Sequence, residues 1–98
     1  MDKQIEKLII LYDYYGELLN DNQKTFFEDY YCNNLSLGEI AENNNVSRTA
    51  VYKSVKKVEE KLNFFEEKIG LYAKKKMLNL ILDEVKNDKL KEKLNQLY

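Results

Sequence analysis

Residues 47 to 57 hold the side chains whose types and spacing could do chemistry: Ser47, Arg48, Thr49, Tyr52, Lys53, Lys56 and Lys57. On a helix capped by Ser47, Thr49, Tyr52, Lys53, Lys56 and Lys57 fall, with Glu60, opposite Val51, Val55 and Val58. Cations repeated along one face neutralise phosphates, and residues at the amino end of such a helix can reach base edges. Arg48, Thr49, Tyr52 and Lys53 are the candidates for base edges. Lys56 and Lys57, with the Lys74–Lys75–Lys76 run, are the candidates for phosphates. A single arginine and the lack of Asn or Gln on that early face leave few groups to read a base sequence.

Other chemistries are poorly supplied. The chain has no histidine and one cysteine, Cys32. The usual base for a Ser or Cys nucleophile is therefore missing, as is the commonest metal ligand. Gly16, Gly38 and Gly70 are isolated, so no glycine-rich phosphate loop exists. Glu59–Glu60 and Glu66–Glu67 are adjacent pairs, which diverge on a helix and read as solvated faces. The expectation is a non-enzymatic protein with no cofactor and no metal. Cys32 is expected as a small buried hydrophobe.

The positioning elements are helical. With no proline, three glycines and 44% hydrophobic residues in 98, the composition favours one small all-α fold. Charged residues make up 34%, and no apolar run approaches the roughly 20 residues of a membrane span. The start of the chain lacks a basic-then-apolar leader, and a lone cysteine suits a reducing cytoplasm. Charge is uneven. Residues 1–46 carry three lysines against nine carboxylates, while residues 47–98 carry thirteen Lys and Arg against eight carboxylates. A polyanion would prefer the second half, although the pI near 5.5 is low for a DNA binder.

Two start signals in quick succession place the face described above. Ser36 with Glu39 reads as a capping box, with Leu35 and Ile40 as its hydrophobic staple. Ser47 reads as a second cap, with Val46 and Val51 as a second staple. Between them, Asn45 stands at a corner where a positive φ is needed, and Ala41 is small where the two helices approach. This spacing predicts a helix-turn-helix. Its second helix is expected to run from 48 to about 69 and to stop at Gly70, with Val51, Val55, Val58, Leu62, Phe65 and Ile69 as one apolar stripe.

Upstream, the spacing predicts a helix over 3–19 with Ile5, Leu8, Ile9, Tyr12, Tyr15 and Leu19 on one face. A second is predicted over about 21–32, capped by Asn20 and Gln23, with Phe26, Phe27, Tyr30 and Tyr31 as a core band. Downstream, 71–86 carries Leu71, Leu78, Ile81, Leu82 and Val85. Asn87–Asp88 breaks and recaps the chain, and Leu90, Leu94 and Leu97 mark a last short helix. The division expected is 1–70 as the helix-turn-helix domain and 71–98 as a carboxyl-terminal extension. The extension would be part of the same fold or a dimerisation region.

The stretch Leu35-Ser36-Leu37-Gly38-Glu39-Ile40-Ala41-Glu42, with Val46-Ser47-Arg48 and Ala50-Val51-Tyr52, closely resembles the YlxM family of small bacterial helix-turn-helix proteins. Leu11-Tyr12-Asp13-Tyr14-Tyr15, Leu18-Leu19 and Gln23 are similar to that family's first two helices. More loosely, the pattern is similar to region four of bacterial sigma factors. Asn43-Asn44-Asn45 departs from the family at the corner, and 71–98 matches less clearly. The resemblance implies a small helical bundle with a sigma region four-like helix-turn-helix, an extended recognition helix and carboxyl-terminal helices. It also implies an accessory or regulatory role in the signal recognition particle pathway, with the particle's GTPase, its RNA, or both as partners. Carried over, the recognition-helix role falls on Ser47, Arg48, Thr49, Tyr52, Lys53, Lys56 and Lys57. The alternatives are a DNA-binding transcriptional regulator, which the motif itself suggests, and a homodimer. The homodimer would form through a stripe of Phe65, Ile69, Leu78, Ile81 and Val85 that 98 residues do not easily cover.

Overall fold

A computed structural model describes residues 2–97. They form six α-helices and no strand: α1 (Lys3–Tyr15), α2 (Asp21–Phe27), α3 (Leu37–Asn44), α4 (Arg48–Ile69), α5 (Leu71–Glu84) and α6 (Asp88–Asn95). A 3₁₀ turn, Gly16–Leu18, follows α1, and a π turn, Glu28–Cys32, continues α2. The all-helical fold with a helix-turn-helix at 37–69 is the one expected.

Several local signals act as read from the sequence. Ser36 Oγ accepts the Glu39 N–H at 3.0 Å, and the Glu39 carboxylate accepts the Ser36 N–H at 3.1 Å. Asn20 and Gln23 form the same reciprocal box. Ser47 Oγ accepts the Ala50 N–H at 3.0 Å. Asn45 stands at φ 55° and ψ 45°, and its neighbour's N–H donates to the Ala41 carbonyl at 3.0 Å. This is a Schellman ending with asparagine in the left-handed position. Val46, expected in the second staple, is 42% exposed. Its backbone N–H serves the end of α3. Asn34, also at positive φ, turns the chain into α3.

Helix α4 is the axis of the bundle. Phe26, Ile40, Ala41, Val51 and Val55 make one buried group, which locks α2 and α3 onto its first half. Leu11, Tyr15, Leu19, Phe27, Val58 and Leu62 make the second, which locks on α1. Helix α1 ends at Tyr15 rather than at residue 19. The tighter turn lets the chain bend while Leu19, in extended backbone, still reaches the core. Leu11, outside the stripe expected for α1, is fully buried. The stripe is therefore centred on Leu8, Leu11 and Tyr15, and Ile9 lies at its edge.

The α4–α5 corner is tied by one carboxylate. The Tyr15 hydroxyl donates to Glu66 Oε1 at 2.7 Å and accepts the Leu71 N–H at 3.0 Å. Glu66 also accepts the N–H groups of Tyr72 and Ala73 at 3.0 and 3.1 Å. Three of the four orphan donors at the start of α5 are thus met by side chains from α1 and α4. Partial burial alone would raise the Glu66 carboxyl. The hydrogen bonds from Tyr15, Tyr72 and Ala73 outweigh it and hold the group below its ordinary value. Gly70 makes the corner, at φ 74°.

Beyond this knot α5 runs to Glu84, and a short break leads into α6, none of whose residues is fully buried. Asn87 caps α6 by accepting the Leu90 N–H at 3.1 Å. The body measures 54 × 25 × 21 Å with a radius of gyration of 16.8 Å, against about 13 Å for a compact chain of this size. The excess length leaves apolar residues uncovered. Phe65 is half-buried against Tyr15, but Ile69 and Ile81 are 41% and 47% exposed. Leu78, expected on an open stripe, is buried. Met77 and Leu80, which lay outside that stripe, are the most exposed large apolar residues of α5 at 62% and 66%. No described helix is long and apolar enough to cross a membrane.

Candidate nucleic-acid interface

The burial of Val51, Val55 and Val58 turns the opposite face of α4 outward. Ser47, Arg48, Thr49, Tyr52, Lys53, Lys56 and Lys57 are all exposed. All seven are thus exposed around the first turns of α4, with Thr49, Tyr52, Lys53, Lys56 and Lys57 on the face opposite the valines, and their conditions differ. The Ser47 hydroxyl is committed to the cap. Arg48 lies across the first turn of α3: a β-carbon added at Gly38 would come within 2.9–3.1 Å of its guanidinium. Gly38 therefore leaves room for the single arginine to lie flat against the neighbouring helix. Thr49, Lys53 and Lys57 project freely from the described surface. Lys74 and Lys76 are exposed while Lys75 is half-covered.

Tyr52 and Lys56 form a local pair. Tyr52 is 50% exposed, and Lys56 Nζ stands 5.8 Å from its ring centroid. The ammonium also bonds Glu59 Oε2 at 3.3 Å, one of two ion pairs among the described residues. That hydrogen bond holds Lys56 above the ordinary lysine value, so it is charged throughout the physiological range. Glu59 in turn accepts the Tyr31 hydroxyl. Burial and that carboxylate push the Tyr31 phenol well up, so it acts only as a neutral donor. The positive stretch of the face ends here, because Glu59 and Glu60 come one residue after Lys56 and Lys57.

The π turn shapes the other wall. Its extra residue rotates the chain relative to an α-helix, so the four aromatics expected as one core band separate. Phe26 and Phe27 are buried, Tyr31 is half-buried, and Tyr30 is 37% exposed beside it, edge-on at 5.0 Å. Tyr30, Tyr31 and Glu59 are therefore surface-shaping residues that sequence periodicity assigned to the core or to a solvated face. Cys32, expected to be buried, is exposed at the end of the same turn. Partial desolvation and the carboxylates of Glu28 and Asp13 raise its thiol, which disfavours the thiolate. Among the described residues no cluster of His, Cys, Asp and Glu could hold a metal ion.

Comparison with known proteins agrees with this architecture. The model of the UPF0122 family, helix-turn-helix proteins described as YlxM / p13 like, matches residues 1–97. A UPF0122 protein of Thermoanaerobacter sp. (strain X514) is 45% identical over 86 residues, 88% of this chain and 74% of the relative. One from Desulforamulus reducens is 47% identical over 85 residues, 87% and 73% of the two chains. One from Malacoplasma penetrans is 41% identical over 90 residues, 92% and 84%. The chain belongs to the UPF0122 family.

Proposed function

We propose that this UPF0122 chain is a non-enzymatic accessory or regulatory protein of the signal recognition particle pathway, working in the cytoplasm. It binds the particle's RNA, its GTPase, or both, through the exposed face of α4. The observation that carries the nucleic-acid reading is that face. Three lysines, a tyrosine and a threonine stand outward on a helix whose opposite side is fully used by the core. A surface free of packing duty and rich in cations suits a phosphate backbone. The pathway itself rests on the resemblance to YlxM-like proteins.

In this reading residues 1–70 are the binding domain and 71–98 an extension docked on it through Leu71 and Tyr72, which pack against the Leu11–Leu62 core. The exposed Met77, Leu80 and Ile81 make a homodimer through the carboxyl-terminal helices part of the same proposal. The second reading, a DNA-binding regulator, is favoured by the free amino end of α4, the part that enters a major groove in helix-turn-helix proteins.

Capture of the chain by the particle's GTPase or RNA at low salt tests the first reading. Recovery with either, reduced by Lys53→Glu and Lys57→Glu, is the expected result. Recovery with neither contradicts it. A selection over random DNA duplexes that enriches one sequence, with binding lost in Arg48→Ala, would favour the second.

A further inference from the structure

We propose that the cleft between the π turn and α4 holds one unpaired base of an RNA. The inference rests on the nucleic-acid reading above and names the part of the RNA that is bound. Tyr30, Tyr31, Leu37, Tyr52, Lys56 and Glu59 line this cleft. Two of its rings, Tyr30 and Tyr52, are substantially exposed, and neither belongs to the buried core groups. An exposed aromatic ring offers a stacking face, which has value only against a base whose own face is uncovered. Paired bases are covered above and below by their neighbours, whereas loops and bulges of RNA present uncovered ones.

The polar groups fit the same occupant. Lys56 already covers the Tyr52 ring, so a base can take its place while the ammonium turns to the adjoining phosphate. Lys53 and Lys57, exposed next to Tyr52 and Lys56 and one turn apart, continue the track for the backbone. Glu59 is held at the cleft by the Tyr31 hydroxyl and offers only acceptor oxygens. It favours a base with an exocyclic amine over one that presents only carbonyl oxygens at that edge. The duplex around the unpaired base needs no reading by α4, since the deep, narrow groove of A-form RNA does not admit a helix. This also accounts for a recognition face whose single arginine lies against Gly38.

The test uses the full chain and an RNA hairpin with one unpaired 2-aminopurine, alongside the same hairpin fully paired. Binding of the bulged hairpin should quench the 2-aminopurine and exceed that of the paired one by about tenfold, the lower range of a base–aromatic stack. Tyr52→Ala should abolish the quench and lower affinity by a similar factor, and Tyr52→Phe should restore both. Circular dichroism of Tyr52→Ala should match the parent, because the ring is outside the core. Equal binding of the two hairpins, or an unchanged quench in Tyr52→Ala, would overturn the base site while leaving RNA binding standing. Absence of RNA binding at low salt, with tight binding of a DNA duplex, would overturn the base site and the RNA reading together.

Discussion

On α4 the apolar stripe from Val51 to Leu62 is buried throughout, while on α5 only Leu78 and Leu82 are fully buried and Met77, Leu80 and Ile81 stand open. Both helices are amphipathic with similar apolar spacing. The difference lies in their neighbours. Helices α1, α2 and α3 all pack on α4, whereas α5 packs mainly on α1 and the short α6 and meets α4 at the Glu66 corner. An apolar stripe records what a helix can bury, and the number of elements around it decides how much it does bury. The faces left over therefore differ in kind. The free face of α4 is cationic and hydroxylated and suits a polyanion. The free face of α5 is apolar and suits another apolar surface.

The sharpest test of this contrast is a pair of truncations. Leu62→Ala, at full burial, should cost about 2–5 kcal/mol of unfolding free energy. Leu80→Ala should stay within about 0.5 kcal/mol in dilute solution, as surface substitutions do. Denaturant titration of both gives the comparison, and equal losses would show that α5 is as well packed as α4. Light scattering then separates the roles: Leu80→Ala should lower any concentration-dependent mass of the parent, and Leu62→Ala should act through unfolding alone.

The joint between the two regions comes next. Glu66→Ala removes the acceptor of three hydrogen bonds and should cost about 1–3 kcal/mol. The parent should carry a matching acid sensitivity. The native carboxyl lies below the unfolded value of 4.5, so the unfolded chain holds its proton more tightly. The contribution is fully present above about pH 4.5 and is lost as pH falls through the lower native value. Thermal melts across pH 3 to 6 should show a slope that Glu66→Ala flattens.

Smaller effects fall at the helix-turn-helix corner. Asn45→Ala places a β-carbon residue at φ 55° without the asparagine's local hydrogen bonding, and should cost about 1 kcal/mol. Asn45→Gly should be neutral or slightly stabilising. Gly38→Ala should change stability by less than about 0.5 kcal/mol, because the close atoms are the far end of Arg48, which can swing away. Thermal melts check all three. A large loss in Gly38→Ala would show that Arg48 is fixed in place rather than resting there.

Much of this architecture was legible because its signals are local. The Ser36–Glu39 box, the Ser47 cap, Asn45 at the corner and Gly70 at the stop each follow from one or two residues. What escaped depended on shape beyond the local turn. The π turn cannot be read from Glu28–Cys32, and it turned Tyr30 outward from the expected core band and exposed Cys32. The early end of α1 at Tyr15 and the full burial of Leu11 were not in the expected stripe. Of the candidate interface, the outward placement of Thr49, Tyr52, Lys53, Lys56 and Lys57 followed from the valine stripe. The cleft beside them did not, since Tyr30 and Glu59 reach it from separate elements.

The claim that the free face of α4 meets a polyanion is tested most directly by salt-dependent binding of the bulged RNA hairpin. Parent chain should be compared with the Lys53→Ala, Lys56→Ala and Lys57→Ala triple variant. The three lysines should contribute about 2 to 3 units to the slope of log affinity against log salt, and the triple variant should lose them while melting like the parent. Identical slopes in parent and variant would contradict an interface on this face.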